Sequence, residues 1–257
     1  MRRGNFKVRI LIFAAIAAFA FIRKCSQEEV NPYTGKKQAI SLSPDQEIAI
    51  GLQSAPGMAQ QHGGLHPNNE YQAFVDNVGN KLVNSSVARD TPYKYEFHLL
   101  ADERTINAFA LPGGQIFITQ ALFSKLENED QLAGVLGHEI GHVLGKHSNE
   151  RITNANFWKT LAMGGAAIDM GGVAQQIGQG QLLKNGRGDE LESDELGIQF
   201  MMDAGYNPEE MIGVMEILKA AAGPNRVPEF QSSHPDPENR IEKIKEAIRN
   251  YRNKKAS

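Results

Sequence analysis

Leu136-Gly137-His138-Glu139-Ile140-Gly141-His142-Val143-Leu144 is the stretch from which the rest of the 257-residue chain is read. It contains H-E-x-x-H. On a helix, residues four apart stand one above the other on a single face, so His138 and His142 can offer two imidazole nitrogens to one metal ion. Glu139 is turned about 100° from His138. It can reach an attacking water without itself binding the metal, the division of labour in a zinc peptidase.

The helix carrying this stretch has its own start signal. Asn128 precedes Glu129, Asp130 and Gln131, an N-cap with acids in the first turn, and the helix is expected to run to about Arg151. Gly134, Gly137, Gly141 and Gly145 fall on one stripe beside the histidines, while Leu132, Leu136, Ile140 and Val143 face the core. A glycine costs a helix up to about 1 kcal/mol, so four in register imply that something approaches closely, and a strand-binding cleft is the expectation. On a continued helix His147 points about 160° away from the histidine pair and reads as a packing residue.

A catalytic zinc site needs a third protein ligand and an open position. Downstream, Arg187-Gly188-Asp189-Glu190-Leu191-Glu192-Ser193-Asp194-Glu195 has helical character. Glu190 and Asp194 share a face with Gly197, Ile198 and Met201, whereas Asp189, Glu192 and Glu195 point elsewhere and read as solvated. Carboxylates on an apolar face are costly unless paired or bound to metal. Register selects Glu190 as the ligand, and Asp194, one turn on, as acceptor for the N–H of a ligand histidine.

Elsewhere the chain reads as alternating short elements. Ser43-Pro44-Asp45-Gln46 opens a helix to about Gln53, and Pro56 to Asn69 reads as a loop whose Gly63-Gly64 argues against a metal site at His62 and His66. Glu70–Asn84 carries a helical apolar stripe. Tyr93–Leu100 alternates as a strand with Tyr95, Phe97 and Leu99 on one face. Asn107–Leu111 and Gln115–Thr119 flank Pro112-Gly113-Gly114 as a hairpin. Residues 162–183 are rich in Gly, Ala, Met and Gln and read as a loosely helical, mobile segment. Helices after Asn207-Pro208 and Asp236-Pro237 read as structural. The fold class expected is α+β, mainly helical, with a small sheet or hairpin beside the metal-binding helix.

The N-terminus differs from the rest. Residues 1–24 hold six basic residues and no acid, and removing them takes the net charge from −3 to −9. A body that acidic is a poor nucleic-acid binder. Ile10–Ile22 is an apolar run of thirteen residues, short for a membrane span. It reads either as a signal peptide, with Ala18-Phe19-Ala20 as a cleavage site, or as a retained anchor, and both place the body outside the cytoplasm. Lipidation at Cys25 is a third reading, against which Ile22-Arg23-Lys24 lacks the small residues that precede a lipoprotein cysteine. The organisation expected is a leader or anchor over 1–24, a linker over 25–42, one peptidase domain over 43–252 and a polar tail over 253–257.

Asn107-Ala108-Phe109-Ala110-Leu111-Pro112-Gly113-Gly114, then H-E-I-G-H, then Glu190-x-x-x-Asp194, resembles the gluzincin metallopeptidases of the HtpX and CAAX prenyl protease type. Within them it is similar to the bacterial periplasmic BepA and LoiP type, over about Asn31 to Arg249. The resemblance implies one zinc ion per chain held by His138, His142 and Glu190, with Glu139 as general base. Arg187, three residues before Glu190, also fits the pattern. The family's later His-Pro matches His234-Pro235, followed by Arg240; His234 is then expected near the metal, either assisting catalysis or closing the open position, with Arg240 supporting it. Asn107, Ala108, Phe109 and Ala110 are expected to pair with an extended polypeptide substrate. Misfolded envelope proteins suit such a groove, with the membrane or envelope assembly machinery as further partners. The competing function is a zinc-bound chaperone or assembly factor with latent peptidase activity.

Overall fold

The computed structural model describes residues 4–166, 171–221, 234 and 239–256. The chain divides into two compact units, one of residues 1–42 and 146–186, the other of residues 43–145 and 187–257. Residues 146–186 thus group apart from the remainder of the 43–252 body.

In the first unit, α1 (Gly4–Ser26) packs along α6 (His147–Ala166). Phe13, Ile16, Ala17 and Ala20 form the covered stripe at helical spacing, whereas Phe6, Leu11, Phe21 and Ile22 are exposed. Lys24 Nζ lies 4.9 Å over the Phe157 ring. An antiparallel pair, β1 (Glu28–Val30) and β2 (Lys37–Ala39), follows α1 directly, and the buried Asn149 side chain accepts the N–H groups of Ser41 and Leu42. Among the described residues no helix is long and apolar enough to cross a membrane.

The second unit is built around a three-stranded sheet and α5 (Glu129–Leu144), in which every residue from Gln131 to Leu144 is buried. α2 (Pro44–Gln61) starts with the capping box expected at Ser43 and Gln46 but continues eight residues beyond Gln53, through Pro56. Proline removes one helix hydrogen bond without ending a helix that is packed elsewhere. That packing is tight: a Cβ on Gly51 would lie 2.0 Å from the Pro112 carbonyl oxygen, so α2 seats directly on the hairpin turn. α3 (Asn69–Ser85) buries Val75, Val78 and Leu82, as its stripe requires. β3 (Glu96–Leu100), β4 (Ala108–Ala110) and β5 (Gln115–Thr119) pair in the order β3-β5-β4. The hairpin β4–β5 is antiparallel; β3 pairs with β5 in parallel. α4 (Gln120–Phe123) is a single turn.

Two expectations about α5 fail for physical reasons. The helix does not run to Arg151. It ends at Leu144, Lys146 adopts a left-handed φ of 54°, and α6 begins at His147. The glycine stripe does not line a substrate cleft: at Gly137 and Gly141 it receives the backbone of α7 (Gly171–Asp203), and at Gly134 it meets Met211. A Cβ on Gly141 would stand 2.9 Å from Ser193 Cα and O, and one on Gly137 would stand 3.3 Å from Gly197 Cα. The close approach that the glycines permit brings the carboxylates of α7 to the histidines of α5. α8 (Glu210–Ala221) and α9 (Arg240–Ala256) complete the unit, burying Met211, Val214, Ile244 and Ile248. Residues 167–170, inside the segment read as mobile, and the helix start at Asp236-Pro237 lie outside the described residues.

Candidate metal centre

α5 presents His138 and His142 one turn apart, and α7 presents Glu190 and Asp194 one turn apart on the helix packed against it. All four side chains are buried. His234, from a remote part of the sequence, joins them and is also buried. His138 Nε2, His142 Nε2, His234 Nδ1 and the Glu190 carboxylate face one another, and the shortest separations of the six pairs run from 3.0 to 3.4 Å, His138 and His234 approaching Glu190 Oε2 and His142 approaching Oε1. Ligand nitrogens and oxygens stand about 2.0–2.1 Å from zinc, so a tetrahedron of them has edges of about 3.3–3.4 Å. Three imidazole nitrogens converging with a carboxylate cannot all satisfy one another by hydrogen bonds. A cation at their centre reconciles them, and the donor set fits a metal.

The histidine tautomers follow from their second contacts. His138 Nδ1–H donates to Asp194 Oδ1 at 2.8 Å, leaving the Nε2 lone pair for the cluster. His234 Nε2–H donates to the Ala108 carbonyl oxygen at 3.3 Å, leaving Nδ1 for the cluster. Arg240 binds Asp194 through two hydrogen bonds, Nε to Oδ2 at 2.7 Å and Nη2 to Oδ1 at 2.9 Å, and its Nη2 stands 3.6 Å from Glu190 Oε2. Burial pushes His138 toward its neutral form, but hydrogen bonds to Asp194 and Glu190 prevail and raise its pKa to about 9. Burial likewise opposes ionisation of the two carboxylates, yet His138 and His234 hold Glu190, and Arg240 and His138 hold Asp194, below the ordinary carboxylate range. A metal held at His138 Nε2 would compete with the proton there.

Glu139 is fully buried, with Oε1 3.5 Å from His234 Nε2, placing its carboxylate beside the cluster and outside the ligand set. The edge strand β4 completes the site. Asn107 and Leu111 hydrogen-bond across to Thr119 and Gln115 of β5, so by alternation the backbone groups of Ala108 and Ala110 point outward, away from β5. His234 uses that outward Ala108 carbonyl.

Sequence reasoning therefore located His138, Glu139, His142, Glu190, Asp194, His234 and Arg240 in one cluster. Arg187, on the same helix face as Glu190 and Asp194, is exposed, and among the described residues no hydrogen bond or ion pair joins it to the cluster. Asp189, read as solvated, is buried. The covered arc of α7 is wider than one stripe and takes in Asp189, Ser193, Leu196 and Phe200 as well. His147 is buried too, but on α6 and outside this cluster. The sequence points to Ala108 as part of a pairing strand but not to its carbonyl as the acceptor of His234, since a backbone acceptor leaves no mark in residue type.

Comparison with known proteins agrees with this chemistry. The chain is 29% identical over 244 residues to the mitochondrial metalloendopeptidase OMA1 of Schizosaccharomyces pombe, covering 91% of this chain and 71% of that one. It is 28% identical over 228 residues to the beta-barrel assembly-enhancing protease of Yersinia pestis, covering 83% of this chain but only 46% of the relative. It is 26% identical over 220 residues to the metalloprotease YcaL of Escherichia coli K12, covering 82% and 83%. The chain thus spans less than half the length of the beta-barrel assembly-enhancing protease. The model of peptidase family M48 matches residues 69–248, which contain every member of the cluster. The chain belongs to peptidase family M48, and it is a metalloendopeptidase.

Proposed function

We propose that the chain is a zinc-dependent endopeptidase of the cell envelope that cuts extended or misfolded polypeptides and rests in a closed state with His234 seated in the cluster. The observation that carries this reading is the near-tetrahedral set of His138, His142, Glu190 and His234, with the Glu139 carboxylate directly alongside. Three of these side chains make a catalytic zinc site and a fourth fills the position that such a site keeps open. When bound, zinc supplies a Lewis acid that polarises a carbonyl and acidifies water.

The chain's own residues do the remainder. Glu139 takes the proton of the water that attacks the peptide carbonyl and passes it to the leaving amine. Asp194 fixes the His138 tautomer, and Arg240 keeps Asp194 ionised and in place. The outward N–H and C=O groups of Ala108 and Ala110 bond the backbone of an extended substrate, which gives affinity with little demand on sequence. His234 must leave for this to happen, because one ring blocks both the cluster and the Ala108 acceptor.

The basic, apolar N-terminal helix and the names of the bacterial relatives support an extracytoplasmic location, either tethered by that helix or released from it. The envelope assembly machinery is a candidate partner. The seat taken by His234 also favours the second reading, a zinc-bound assembly factor with latent peptidase activity. Degradation of an unfolded polypeptide by zinc-loaded His234→Ala protein tests the closed-state reading. Turnover above the wild type is expected; equal or lower turnover with metal retained overturns it.

A further inference from the structure

The face of β4 turned away from α5 carries a feature the mechanism does not use. Phe109 registers with Phe117 on β5, and Phe117 registers with His98 on β3, so three rings form one row straight across the sheet. They are stacked: Phe109 on Phe117 with centroids 4.9 Å apart and planes at 16°, and Phe117 on His98 at 4.7 Å and 26°. His62 leans over Phe109 at 5.4 Å and is held there by its Nδ1, 3.1 Å from Asp102 Oδ2. Asp102 is itself fixed by the N–H groups of Arg104 and Thr105. An apolar groove of about 840 Å³, lined by Leu52, Ala55, Ala59, Leu65 and Phe117 among others, lies on the same face. Phe109, at the end of the row next to the strand's outward edge, stays half-exposed.

The hydrogen-bond alternation of β4 determines what an added strand would meet. Because Ala108 and Ala110 point their backbone groups outward, an antiparallel strand bonded to them sets one residue opposite Phe109 as a non-hydrogen-bonded pair. That is the pair type in which cross-strand side chains approach most closely. The facing side chain becomes the fourth member of the row, packed against an aromatic ring with a second ring above it.

We propose that Phe109, backed by Phe117 and His98 and covered by His62, forms a substrate subsite for an aromatic or large aliphatic side chain. The residue it selects is the one lying opposite Phe109 in an extended polypeptide. The proposal rests on β4 being the strand that pairs with substrate and deepens that reading: affinity comes from the backbone, and the choice of where to cut comes from this side chain. Phe109 acts as a specificity residue, apart from the reacting atoms.

The test is a map of cleavage sites. A mixture of denatured polypeptides of known sequence is incubated with the full-length, zinc-loaded protein, both wild type and His234→Ala, and the new termini are read by mass spectrometry; Glu139→Gln is the blank. One position at a fixed offset from the cut should be enriched in Phe, Tyr, Trp and Leu. For a peptide pair differing only by Phe or Ala at that position, kcat/KM should differ by about two- to ten-fold, mostly through KM. In Phe109→Ala the pair should be cut equally, and in Phe109→Leu the preference should move from aromatic to aliphatic. A wild-type map with no enriched position overturns the subsite whatever the variants do, and so does an enrichment that Phe109→Ala leaves unchanged. No cleavage by either zinc-loaded protein overturns the peptidase reading itself, and the subsite with it.

Discussion

Asp194 is the side chain whose loss should separate stability from metal binding. It accepts His138 Nδ1 at 2.8 Å, Arg240 Nη2 at 2.9 Å and Arg240 Nε at 2.7 Å, and all three residues are buried. Asp194→Ala leaves a guanidinium buried without this counter-charge, which costs about 3–5 kcal/mol when a buried pair is broken from one side. At about 2–4 °C per kcal/mol for a chain of this size, the melting temperature should fall by about 6–20 °C. The metal suffers separately, because His138 loses the acceptor that fixes its tautomer, and affinity should drop about 10- to 100-fold. Glu190 Oε2 stands 3.6 Å from Arg240, and closer pairing there would draw a ligand carboxylate out of the cluster.

The double variant Asp194→Leu with Arg240→Leu removes both charges, so it should melt higher than Asp194→Ala and yet bind zinc as weakly. Thermal melts and competition with a zinc chelator read the two quantities independently. If Asp194→Ala melts within about 2 °C of the wild type and keeps zinc affinity within about two-fold, the argument for an orienting carboxylate is wrong.

Two other predictions address the scaffold. Gly141→Ala puts a methyl group 2.9 Å from the Ser193 backbone, so α7 must move away; a loss of about 1–3 kcal/mol in denaturant melts and a reduced zinc content are expected, and normal zinc content would show that the close approach does not set Glu190. Burial opposes the ionisation of Asp102, but hydrogen bonds from Thr105, Arg104 and His62 lower its pKa well below the ordinary value. A depressed folded-state pKa contributes stability above the unfolded value of about 3.9 and loses it as pH falls below. The melting-temperature gap between wild type and Asp102→Ala should therefore hold from neutral pH to about 4 and narrow below that. A gap that widens in acid would contradict the assignment.

Much of the site was legible because its chemistry is local. H-E-x-x-H sets His138 and His142 one turn apart with Glu139 beside them by helical geometry, and the spacing of Glu190 and Asp194 sets a second face by the same rule. The caps at Ser43 and Asn128 and the turn at Pro112-Gly113-Gly114 were equally plain, since each is set by a few neighbouring residues. What escaped depends on partners far away in the chain. The parallel pairing of β3 with β5 has no local turn to announce it. α5 ends at Leu144, and the left-handed residue beyond it is Lys146 and not Gly145, so the glycine pattern hid the break. The glycine stripe correctly signalled a close approach, but only the fold reveals that α7 is what approaches. Asp189 is buried where a solvated side chain was expected, because one assumed stripe cannot describe a helix covered over a wider arc.

The central claim is that His138, His142 and Glu190 hold a zinc ion beside which Glu139 moves the proton. Zinc stoichiometry and degradation of an unfolded polypeptide, measured on the same samples of wild-type, His234→Ala and Glu139→Gln protein, test it most directly. One zinc per chain in all three, turnover in the first two and none in Glu139→Gln is the predicted result. Zinc near zero after careful purification, or full turnover by Glu139→Gln, would contradict it.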